Sequence, residues 1–137
     1  MNRINLDHAA SSLLIPEVRE AMAEAMERAG NPASIHAQGR AARQALGRAR
    51  GEVAALINAK ADEIAFVSCG TEANNWALRG LLAANKRKGN HLVISSIEHP
   101  SISLPAKRLE REGWDVSYLP VDRDGAVSPN ELAQALR

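Results

Sequence analysis

The stretch EIAFVSCGTEANN, residues 63–75, changes character twice. Glu63 to Ser68 is short, apolar and rich in strand formers, which predicts a strand. A small-residue turn follows at Cys69, Gly70 and Thr71, and helical spacing begins beyond it. In an open parallel sheet, ligands collect where strands end and the next helices begin. The first turn of such a helix has unpaired N–H groups and a partial positive charge, which suits a phosphate. Gly70 lets an anion approach the backbone, Thr71 adds a hydroxyl, and Asn74 and Asn75 continue a polar first turn. The same octet is also read as plain helix capping by Ser68 or Thr71, because it has neither GxGxxG nor a P-loop lysine.

Working outward, strands and helices alternate. HLVIS (91–95) and DVSYLPV (115–121) resemble the first apolar run, and helices are predicted between them at about 72–88 and 101–112. Gly113 closes the second helix, and a last helix follows DRDG with Ser128, Pro129 and Glu131 in capping-box order. On the N-terminal side, PEVREAMAEAMERAG (16–30) reads as a helix. A second helix is expected at about 37–57, with Ala42, Ala45, Leu46, Ala49, Val53, Leu56 and Ile57 inward. The loop NPASIH lies between them, its Asn-Pro pair disfavouring helix at Asn31. This alternation predicts an α/β layer fold with a mostly parallel sheet.

Composition narrows the function. The 137 residues carry a formal net charge of +1 and only four aromatic side chains, which argues against nucleic acid, a base-stacking surface or an anionic membrane as partner. Arg40, Arg43, Arg48 and Arg50 read as a solvated helix face. Cys69 is the single cysteine and is read as a small buried side chain; a reducing, cytoplasmic setting fits best. No segment approaches a membrane span or a cleavable leader. His8, His36, His91 and His99 have no spacing typical of a metal site, so no metal is expected. His99 follows the strand HLVIS on the same sheet rim as Gly70 and Thr71. There it has three possible roles: stacking on a planar ring, shuttling protons, or capping the next helix.

LDHAASS (6–12), GNPASIHAQGR (30–40), FVSCGTEANN (66–75), SSIEHPSI (95–102) and LEREGWDVSYLPVDRDG (109–125) together closely resemble the cysteine desulfurases. These are pyridoxal-phosphate enzymes of the class V aminotransferase group with the fold-type I architecture. The resemblance covers essentially the whole chain. It implies that Gly70 and Thr71 hold the phosphate of pyridoxal 5'-phosphate, and that His99 stacks on the pyridine ring and assists proton transfer. It places Asn31, Ser34 and His36 near the active-site mouth, and His8 on an arm (1–15) that returns to the small domain. Residues 16–137 would form the first part of the cofactor-binding large domain. Ser11 and Ser12 stand where a threonine pair is usual.

In the family a lysine holds the cofactor as a Schiff base. A loop cysteine then takes sulfur from L-cysteine, leaving L-alanine and a persulfide for iron–sulfur cluster assembly or tRNA thiolation. Neither that lysine nor that cysteine has a match here, and family members are about three times longer. The resemblance therefore implies an N-terminal portion, truncated or split, that is inactive alone and needs a complementary half or a full-length homologue. A homodimer is the inherited expectation. Two other readings stay open: a noncatalytic binding or regulatory module, and, within the family, selenocysteine lyase or another class V member. The fold type also places EIAFVS apart from the other two strands, so open strand edges and exposed apolar faces are expected.

Overall fold

The computed structural model describes residues 4–137, so the first three residues of the expected arm lie outside the described ones. The chain divides between Ala65 and Phe66 into two compact units. In the first, the arm turns on Asp7, whose carbonyl accepts from Ala10 at 3.2 Å and Ser11 at 3.3 Å. Helix α1, Pro16–Met26, starts with proline in its first turn, where the missing N–H costs nothing. It stops four residues short of Gly30, at which the sequence pattern had placed its end.

Helix α2, Ala37–Leu56, opens on His36, whose Nδ1 accepts the Gly39 N–H at 3.3 Å. Ala42, Ala45, Leu46, Ala49 and Val53 are half-buried as the spacing predicts, and Ala54 is buried. Leu56 and Ile57 lie exposed, because the helix ends there and the chain leaves the packed face. Arg40 and Arg43 are not a merely solvated face. Arg43 Nε donates to the Pro32 carbonyl at 2.8 Å, and Arg40 Nη1 donates to the Ile35 carbonyl at 2.6 Å. Both guanidiniums thus fasten the preceding loop to the helix.

The second unit contains a two-stranded parallel sheet, β1 (His91–Ser95) and β2 (Asp115–Leu119), in register from His91 opposite Asp115 to Ser95 opposite Leu119. Helix α3, Gly70–Asn85, precedes β1, and helix α4, Pro100–Arg111, is the crossover between the strands. Helix α5, Pro129–Ala135, packs on β2. Ile94, Ala106 and Leu119 are its buried apolar residues, so the core lies where α4 covers the strands. Gly113 has φ +89° and ends α4 in a Schellman motif. Trp114 N–H reaches the Leu109 carbonyl at 3.0 Å and Gly113 N–H the Glu110 carbonyl at 3.1 Å.

Three expectations are corrected. EIAFVS forms no strand: Ala61–Glu63 is a single 3-10 turn, and residues 64–67 have no ladder partner. Strand formers alone do not make a strand; the backbone needs a neighbour to bond, and β1 and β2 pair only with each other. Beyond Leu119 the third apolar run is not strand either, and Val121 makes an isolated antiparallel bridge to Val127. At α5, Ser128 sits at the N-cap but its side chain makes no capping hydrogen bond.

Gly39, like Gly30, is a position where a side chain is excluded by contact. A Cβ there would lie 2.4 Å from the Ser34 carbonyl oxygen and 2.8 Å from that of Asn31, both backbone atoms of the 31–36 loop. Gly39→Ala is expected to destabilise the first unit by about 1–3 kcal/mol, the usual cost of overpacking. Gly47→Ala, in the same helix with open space around it, should be stabilising by about 0.5–1 kcal/mol. Urea unfolding followed by circular dichroism checks both signs.

Candidate functional site

The turn before α3 is organised by Glu72. Its Oε2 accepts from both the backbone N–H and the hydroxyl of Ser68, each at 2.7 Å. The carboxylate of the first helical turn thereby closes the loop in front of it. Those two hydrogen bonds, the side-chain one foremost, hold the Glu72 carboxyl below the usual carboxylate range. Helix α3 starts without a side-chain cap from Cys69, which leaves first-turn N–H groups available beside the Thr71 hydroxyl. A Cβ built on Gly70 meets no atom within 4 Å, so this backbone borders open space.

Cys69 is exposed, not buried as the sequence reading has it. Its extended N-cap backbone holds the side chain outside the first turn. The Glu72 backbone N–H, foremost, pulls its thiol below the ordinary value. Ser68 Oγ is 3.8 Å from the sulfur but 2.7 Å from Glu72, and its single proton goes to the carboxylate.

Helix α4 begins one residue after His99, which caps it: Nδ1 accepts the Ser101 N–H at 3.1 Å and lies 2.9 Å from Ser101 Oγ. Ser101 is 6% exposed and bonds through every polar atom it has. Asn74 Nδ2 donates to its Oγ at 2.8 Å, and Asn75 Nδ2 donates to its carbonyl at 3.3 Å. That carbonyl is free because Pro105, four residues on, has no N–H to give it. The helix defect is thus satisfied by the neighbouring helix, and α3 and α4 are tied at their N-terminal ends. Between them runs a groove of about 420 Å³, bordered by Thr71, Asn75, Arg79, His99, Leu104 and Arg108.

Gly70, Thr71 and His99 are therefore held in one unit, and Thr71 and His99 border the same groove. Asn31, Ser34 and His36 share a loop of the first unit. Asn31 Oδ1 accepts the Ala33 N–H at 2.9 Å, its carbonyl accepts the Ser34 N–H at 2.9 Å, and His36 caps α2. His8 lies on the arm, with Nδ1 3.1 Å from Ser12 Oγ. Ser101 and Glu72 were not singled out from sequence. The signals were there: a proline four residues after a serine, and a carboxylate four residues after another. Among the described residues there is no cluster of three His, Cys, Asp or Glu able to hold a metal, and no helix long and apolar enough to cross a membrane.

First-turn donors at the start of α3, open space at Gly70 and a histidine across the groove leave room for an anionic ligand. A sequence profile of the family described as aminotransferase class-V matches residues 4–137. The chain belongs to the class-V aminotransferase family. Curated relatives within reach of this class-V chain include a cysteine desulfurase IscS of Dictyoglomus turgidum, 47% identical over 135 residues. That match covers 98% of this chain and 34% of the relative. A putative cysteine desulfurase IscS 1 of Bacillus subtilis is 43% identical, covering 100% and 36%. Among solved structures, a NifS-like protein superposes with TM-score 0.88 at 31% identity, covering 98% of this chain and 37% of that one. A structure titled SspA in complex with cysteine gives 0.87 at 32% identity, covering 96% and 38%. The chain thus spans about a third of the length of these relatives.

The Glu72 carboxylate gives this turn a defined acid response. Its pKa is lower folded than unfolded, so the stabilisation is present above the ordinary carboxylate range and is lost as pH falls through and below it. Glu72→Gln should flatten that part of the stability–pH profile and leave neutral and alkaline pH unchanged in slope. Thermal unfolding at a series of pH values from acid to neutral reads it out.

Proposed function

We propose that the chain is the N-terminal portion of a pyridoxal-phosphate-dependent cysteine desulfurase. Residues 1–15 form its arm and residues 16–137 the first part of its cofactor-binding large domain. L-cysteine as substrate, a homodimer and a cytoplasmic setting come with this reading, and the exposed, unpaired Cys69 is compatible with a reducing compartment. The observation that supports it best is that Thr71, in the first turn of α3, and His99, which caps α4, border one groove.

In this reading the Gly70 and Thr71 N–H groups and the Thr71 hydroxyl bind the cofactor phosphate, and His99 faces its ring. The cofactor, when bound, supplies the electron sink for bond cleavage next to the substrate amine. The residues on this chain bind and orient; Asn31, Ser34, His36 and His8 are assigned to the substrate side. A wider assembly is favoured by one specific observation. Phe66 is 49% exposed, Trp76 63% and Leu104 62%, all in the unit that contains the groove. Such apolar surface is suited to being covered by the rest of the fold the relatives possess, in the same polypeptide or a second one.

Titration of the chain with pyridoxal 5'-phosphate and with pyridoxal, followed by ligand absorbance, tests the assignment. Thr71→Ala removes a hydrogen bond to a charged group, worth about 1.5–3 kcal/mol. It should weaken pyridoxal phosphate binding by about ten- to a hundredfold and leave pyridoxal unaffected. Equal affinity of the wild type for the two ligands, or no response to Thr71→Ala, would overturn the phosphate site.

A further inference from the structure

We propose that Ser101, oriented by Asn74, is a positioning residue that holds the His99 imidazole as a single neutral tautomer with its proton on Nε2. Asn74 Nδ2 can only donate, and at 2.8 Å it occupies an acceptor position of Ser101 Oγ. The Ser101 hydroxyl proton is then free to point elsewhere, and His99 Nδ1 lies 2.9 Å away. The Ser101 backbone N–H meets the same nitrogen at 3.1 Å. Nδ1 thus faces two donors. A proton on it would oppose the backbone N–H, a donor that cannot turn round, so the ring proton sits on Nε2.

The relay is built into the fold. Ser101 is the one buried polar residue among the described residues, 6% exposed, and it sits in the first turn of α4, fixed from α3 by Asn74 and Asn75. Nε2 has no partner among the described residues, which leaves one N–H donor of defined identity on a residue bordering the groove. This deepens the proposed function and rests on it only for what the donor meets: a ligand acceptor beside the ring receives a hydrogen bond from His99 and does not lose a proton to it.

The test is a long-range proton–nitrogen correlation spectrum of the ¹⁵N-labelled chain, recorded at mildly alkaline pH. The expected result is one acceptor-type signal, assigned to Nδ1, and one N–H-type signal, assigned to Nε2. In Ser101→Ala, which keeps the backbone N–H on Nδ1 but loses the hydroxyl, the two His99 signals should move part of the way toward each other, while Ser101→Thr should keep the wild-type separation. Asn74→Asp, whose carboxylate draws the Ser101 hydroxyl proton to itself, should move the Nδ1 signal in the same direction as Ser101→Ala and keeps the inference testable if the alanine variant does not fold. A wild-type spectrum with the proton on Nδ1, or variants with unchanged His99 signals, would overturn the positioning role. Pyridoxal phosphate binding separates the two readings. A locked ring in a chain that does not bind it supports the relay and sinks the cofactor site, and binding with no tautomer response does the reverse.

Discussion

The groove depends on how the first turn of α4 is tied to α3 through Ser101. A buried serine with three hydrogen-bonding functions is costly unless all three are satisfied, because unpaired polar atoms in an interior lose their water for nothing. Here the carbonyl is released by Pro105 and taken up by Asn75, the hydroxyl accepts from Asn74, and the N–H caps onto His99. A proline inside a helix ordinarily costs a hydrogen bond and bends the axis. In α4 the lost bond becomes the attachment point of the neighbouring helix. The imidazole and the start of α3 are held in a fixed relation by the same few atoms.

A second constraint operates one turn away. Glu72 spends its carboxylate on Ser68, inside the loop, and does not point its charge at the open first turn. A carboxylate at a helix start is stabilised by the macrodipole, and it would repel a phosphate if it stood in the phosphate's place. Bonded back onto Ser68, it rigidifies the approach to α3 while leaving Gly70 and Thr71 open. The three residues S, T and E of one octet thus divide the work: one receives a carboxylate, one faces the groove and one closes the loop.

The apolar run before that turn belongs to a larger pattern. Residues 64–67 have strand composition and no strand to pair with, and Phe66 is half exposed beside them. The chain spans about a third of the length of the relatives it matches, and among the described residues this run has no neighbouring strand to bond. The helices tolerate this, because their hydrogen bonds are internal, while an isolated strand does not. The same difference explains why α2 keeps its expected extent and α3 forms within a few residues of its own, while EIAFVS forms no strand.

The sequence by itself determined the order α3, β1, α4, β2 and α5, but not the strand expected before α3, together with the stop at Gly113 and the family to which those motifs belong. Each of these is local: a left-handed backbone position, a proline in a first turn, a period of 2 or 3.6. Tertiary structure alone decided that His99 caps α4 through Ser101, that Arg40 and Arg43 serve the 31–36 loop, that Gly39 admits no side chain, and that Cys69 lies open to solvent. These depend on which atoms meet across elements distant in the chain. No spacing within one segment encodes a hydrogen bond from Asn74 to Ser101, because its partners are brought together only when two helices pack.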